Sequence, residues 1–100
     1  MMILLALAAA SLLPPEIARD LRCVAIIGLA RNPALAKEGA LFTAIVGANA
    51  MDATGQSRDA VRDLILAQVR IIRKTKPAPN EFTICTTQMR ARIDLEGVTP

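Results

Sequence analysis

Apolar side chains recur every three or four positions along most of the chain, and three short breaks rich in Pro, Gly and Asn interrupt them. That period is the signature of amphipathic helices, and it predicts four. The first runs from about Pro15 to Ala30. Ile17, Leu21, Val24, Ala25 and Gly28 follow the helical repeat, and Ile26, Ile27 and Leu29 widen the apolar surface until most sides are covered. Pro15 fits the first turn, where a missing N–H costs nothing, and Glu16 complements the positive end of the helix. Arg31-Asn32-Pro33 ends it.

The second predicted helix runs from about Pro33 to Met51, with Asn32 as its cap. Ala36, Ala40, Ala44 and Ala48 recur every four residues along it, with Leu41, Phe42, Ile45 and Val46 supplying bulk beside them. Gly39 and Gly47 oppose a helix here by about 1 kcal/mol each relative to Ala. Asp52 to Ser57 is a loop. The third helix runs from about Arg58 to Lys74, with Ser57 as cap and a seam of Val61, Leu64, Ile65, Gln68 and Ile72 that Leu66, Val69 and Ile71 widen. Lys76-Pro77-Ala78-Pro79-Asn80 breaks the pattern again. The fourth runs from about Glu81 to Leu95, with Phe82, Cys85, Met89 and Ile93 on one face. Thr83 to Thr87 has strand-like composition, so a short strand is the local alternative. Together the segments predict an all-α protein, a compact four-helix up-down bundle.

The first thirteen residues stand apart. Twelve of them are apolar, Ser11 being the exception, and Pro14-Pro15 follows. A helix of that length reaches about 20 Å, short of the ~30 Å hydrocarbon core of a bilayer. No stable transmembrane span is expected. The run reads instead as the apolar region of a secretory signal peptide, with Ala8-Ala9-Ala10 offering the small residues a signal peptidase requires. The expected organisation is a signal peptide over 1–10 and one helical domain over 11–100. The competing reading keeps residues 1–13 as a structural helix of a cytosolic protein, because no Lys or Arg precedes the apolar run.

Composition narrows the chemistry. Of the residues after the first thirteen, 41 of 87 are apolar, an ordinary globular fraction. Phe42 and Phe82 are the only aromatics, and there is no His, Trp or Tyr. Without His there is no Ser-His or Cys-His nucleophile pair, no imidazole metal ligand and no imidazole titrating near neutrality. The net charge of +3 is too small for a dedicated nucleic-acid binder.

Three features remain as candidates. Cys23 and Cys85 lie in the first and last helices, each beside an apolar seam, and those helices are neighbours in an up-down bundle. In an exported chain they form a structural disulfide, and the alternative is two buried free thiols. A reactive thiol is disfavoured because there is no C-x-x-C, although Arg19 and Arg22 would lower the pKa of Cys23. Arg70, Arg73, Lys74 and Lys76 form a basic stretch that would touch phosphate or an anionic surface, or would simply complement the helix dipole. The stripe of Ala36, Ala40, Ala44 and Ala48 is either a helix-docking face for a partner or second copy, or a surface for internal packing, which a domain this short favours. Asp59 and Arg62 are spaced as an i,i+3 ion pair, and no acidic cluster has catalytic or metal-binding spacing. No catalytic residues, metal ligands or cofactors are expected.

In architecture and cysteine number the chain resembles small periplasmic stress or chaperone-like helical proteins. No residue motif is shared, so the resemblance carries no role to any numbered position. The function expected from the residues is that of a small exported protein, periplasmic or secreted, acting by binding or interaction rather than catalysis. The alternative is a cytosolic helical regulatory or nucleic-acid-associated protein.

Overall fold

The computed structural model describes residues 13–97. The expected signal peptide over 1–10 lies outside them. Four helices make the bundle: α1 (Pro15–Ala30), α2 (Ala36–Thr54), α3 (Arg58–Lys74) and α4 (Glu81–Glu96). Among the described residues there is no strand, and Thr83 to Thr87 lies inside α4. The hydroxyls of Thr86 and Thr87 donate to the carbonyls of Phe82 and Thr83, so these side chains satisfy their polar groups along the helix itself.

Local chemistry sets the boundaries. The Asn32 side chain accepts a hydrogen bond from the Ala34 N–H at 3.0 Å, as expected of a cap. The turn it caps is a 3-10 turn over Pro33–Leu35, so α2 proper begins three residues later than the sequence pattern suggests. Ser57 Oγ accepts from the Ala60 N–H at 3.2 Å and starts α3. Gly55 and Gly97 end α2 and α4 with φ of 69° and 68°, in the left-handed region that glycine enters without a Cβ clash. Arg31 ends α1 in the same region, with φ of 50° and its N–H on the Gly28 carbonyl.

Helix α1 is the centre. It packs against α2, α3 and α4, whereas α2 packs on α3 and α4, and α3 and α4 do not pack on each other. Cys23 to Ile27 are five consecutive buried residues, and they leave no side of that part of α1 facing water. Phe42, Val46 and Ala50 from α2 are fully buried against it, together with Met89 of α4. Val61 and Ile72 are the buried anchors of α3.

The structure corrects the sequence pattern at three places. All four stripe residues Ala36, Ala40, Ala44 and Ala48 are exposed, so they do not serve internal packing. The bulkier Phe42 and Val46 turn inward, because burying them gains more apolar area than burying alanine. Leu66 and Ile71 do not widen the α3 seam; they are 45% and 49% exposed, since no helix covers the outer side of α3. Asp59 and Arg62 form no ion pair; the ion pairs among the described residues are all between helices.

Cys23 and Cys85 are bonded, with their Cα atoms 5.0 Å apart. The bond closes a covalent ring across 62 positions and holds α1 to α4. Closing a loop of that size stabilises by roughly 4 kcal/mol when ascribed to the lost entropy of the unfolded chain. Replacing both cysteines by alanine is expected to lower the unfolding free energy by about 3–5 kcal/mol, measured by urea denaturation. A loss below about 1 kcal/mol would show that the cross-link adds nothing to the packing around it.

Candidate functional site

The polar groups of the bundle concentrate on the seam between α1 and α4. The two helices run antiparallel, with Cys23 opposite Cys85, and one turn away Asp20 opposite Gln88. Asp20 is 1% exposed and is the one buried charged residue among the described positions. Its Oδ2 accepts from Arg92 Nε at 2.9 Å, and its Oδ1 accepts from Gln88 Nε2. Arg92 also lies 3.8 Å from Glu16 Oε2, one turn before Asp20 on α1. A buried carboxylate is costly unless it is paired and hydrogen-bonded. Both oxygens are met here, and among the described residues no buried side-chain nitrogen or oxygen lacks a partner.

A second pair closes the other end of the seam. Arg22 Nε donates to Glu81 Oε2 at 2.6 Å, and Arg22 Nη2 donates to Oε1 at 3.0 Å, a two-pronged fit of guanidinium to carboxylate. The hydrogen bonds from Arg22 hold the Glu81 carboxyl below its usual range, and Glu81 raises the pKa of Arg22 in return. Glu81 therefore stays ionised at neutral pH and has no proton to give as a general acid. Arg90 reaches the other way and donates to Glu38 of α2 at 3.1 Å. Three of these ion pairs rest on α1 and one on α2, so α4 is oriented on both of its neighbours.

A shallow cleft of about 310 Å³ opens above the disulfide, between Arg19 and Arg22 of α1 and Asn80, Glu81 and Ile84 at the start of α4. The cysteines at its floor are 3% and 1% exposed. Thiol exchange requires a thiolate to reach one sulfur, and that burial keeps it away. Arg22 is committed to Glu81 and not to Cys23, so the neighbourhood that would have activated a free thiol instead anchors a helix.

The remaining candidates are placed separately. Arg70, Arg73, Lys74 and Lys76 are all exposed around the C-terminal end of α3, and none forms an ion pair within the described residues. Arg73 and Lys74 sit in the last turn, where positive charge complements the helix dipole. The stripe of Ala36, Ala40, Ala44 and Ala48 is exposed on α2, and Ala40, Ala44 and Ala48 line a groove shared with α3. Among the described residues no three Cys, Asp or Glu side chains gather as a metal site, and no helix is long and apolar enough to cross a membrane.

Sequence reading missed the Asp20 cluster, although a signal was present. Asp20 falls in register with the buried Ile17, Leu21 and Val24, and Gln88 and Arg92 fall in register with Cys85, Met89 and Ile93. Polar residues on apolar faces of two helices already joined by a disulfide call for each other as partners.

Compared with models of known protein families, with curated proteins and with solved structures, the chain matches none.

Two predictions follow from the seam. Arg92→Ala leaves Asp20 buried with its main cationic partner gone, and is expected to cost about 3–5 kcal/mol. Arg90→Ala breaks a pair whose arginine is largely exposed, and is expected to cost under about 1 kcal/mol. Urea unfolding of the two variants checks the contrast, and equal losses would refute it. The Glu81 carboxyl is lower in the folded than in the unfolded chain, so its stabilisation is present above the ordinary carboxylate pKa and is lost as pH falls through the folded value. Glu81→Gln is therefore expected to be less stable than the parent at pH 6 and to lose less stability on acidification towards pH 3. Unfolding curves that stay parallel across that range would count against the assignment.

Proposed function

We propose that the protein is a small exported module, periplasmic or secreted, that acts by binding and not by catalysis. The observation carrying this reading is the buried Cys23–Cys85 disulfide joining the first and last helices. Protein disulfides form and persist in oxidising compartments, and a small domain gains most from one. The apolar run over 1–13 supports the same reading as an export signal ending near Ala10. The ionisable groups of the seam support a binding role, because Glu81 and Arg22 satisfy each other and Asp20 is enclosed between Gln88 and Arg92. These groups hold helices together and present no free acid or base to a substrate.

The test is the intact mass of the protein expressed with its own N-terminus in a secretion-competent host. The mass is expected to start at Ser11, and alkylating label is expected to add only after reduction. A full-length mass with thiols that label in the native state would overturn the export reading.

A further inference from the structure

The outward side of α2 is the part of the fold that its own packing leaves unexplained. From Gly39 to Met51 no residue is charged, in a chain that is 21% charged. Phe42, Val46 and Ala50 take the inward side, which leaves Ala40, Ala44, Ala48 and Met51 exposed on the other. These residues line one side of a groove of about 690 Å³ between α2 and α3 that Gly47, Val61 and Ile65 also line, with Arg58, Asp59 and Arg62 of α3 on its other side. A Cβ on Gly47 would meet nothing within 4 Å, so no contact within the chain calls for a glycine there. Glycine in mid-helix is unfavourable by about 1 kcal/mol relative to alanine, and close approach of another backbone is the usual compensation.

The charges at the two ends of this face run against the helix. Lys37 lies in the first turn of α2 and Asp52 in the last. Each opposes the α2 dipole, which favours negative charge at the start and positive charge at the end. Both are exposed, and neither forms an ion pair within the described residues. An antiparallel copy of the same helix resolves both. With a two-fold axis at Ala44, Ala40 meets Ala48 of the second copy, and Lys37 meets the region of Met51 and Asp52. The pair of opposite charges then forms twice, once at each end. A two-fold interface requires such self-complementarity, because the same patch serves both sides.

We propose that this face of α2 binds the same face of a second copy of the chain, antiparallel about Ala44, with Gly47 and the α2–α3 groove admitting the partner helix. This names a partner for the binding role proposed above and does not depend on whether residues 1–10 are removed. The face is one helix wide, so the interface is smaller than the ~800 Å² per partner of standard stable complexes, and micromolar association is expected.

Sedimentation of the parent chain is expected to pass from monomer to dimer between about 5 µM and about 500 µM, as suits an interface below standard size. Ala44→Glu and Lys37→Asp are each expected to weaken association at least about tenfold, equivalent to 1.4 kcal/mol, with unchanged helical circular dichroism. Lys37→Asp combined with Asp52→Lys is expected to restore it, since the swap rebuilds the pair. Ala44→Cys, whose new thiol faces its own copy at the axis, is expected to form a covalent dimer under mild oxidation. Leu66→Cys, on the outer side of α3, is not. A chain that stays monomeric at the top of that range, association indifferent to Ala44→Glu and Lys37→Asp, or equal cross-linking through Leu66→Cys would each overturn the proposal. Should Ala44→Glu fail to fold, the charge swap and the cysteine pair still decide.

Discussion

The consecutive burial of Cys23 to Ile27 constrains everything else in this bundle. A helix with one apolar stripe needs one neighbour, but a helix buried round its circumference needs them on every side. Helix α1 meets that demand by standing between α2, α3 and α4. The other helices then have simpler requirements. Each must present a single apolar face inward, and each does so with a short run of buried anchors: Phe42, Val46 and Ala50 on α2, Val61 and Ile72 on α3, and Cys85, Met89 and Ile93 on α4. Few aromatics are available, so the interior is filled mainly by aliphatic side chains, with Phe42 as its one fully buried ring.

Burying α1 also brings Asp20 inside, and that decides the character of the α1–α4 seam. The neighbouring helix must bring a cation and a donor to the same depth, and Arg92 and Gln88 do so. An apolar seam tolerates sliding by a turn at modest cost, whereas a buried carboxylate with two directed partners and a disulfide one turn away does not. Polar contacts here fix which residues stand opposite one another, while the apolar contacts supply the bulk of the driving force.

The existence of the four helices was legible in the sequence because periodicity, prolines and caps agree with one another at Pro15, Asn32 and Ser57. Helix α2, by contrast, starts after a 3-10 turn and runs on through Asp52 to Thr54, which the sequence pattern gives to a loop. The cysteine pairing was legible because both residues sit on apolar faces of helices at the two ends of the chain. Which of two apolar faces turns inward was not legible for α2. Its alanine stripe and its Phe42–Val46 face share the helical repeat, and only the neighbours' positions separate them. Leu66 and Ile71 misled for the same reason: a wide apolar band predicts burial only if something lies opposite it, and α4 does not pack on α3. The ion pairs between helices were hidden because pairs such as Arg22 with Glu81 lie 59 positions apart, beyond any local spacing rule.

Helix α3 alone has neither an ion pair nor a covalent tie to the other helices among the described residues. It is held by apolar contacts to α1 and α2, with Leu66 and Ile71 facing water. Such an element is the natural first unit to open when a protein fluctuates below its global unfolding threshold. Yet α3 lies within the ring closed by Cys23 and Cys85, so when it lifts away both of its ends remain fastened to the body it left. Re-docking is then a search by a tethered loop and not by a free chain end, and the molecule breathes at α3 while the stapled pair of helices keeps its register.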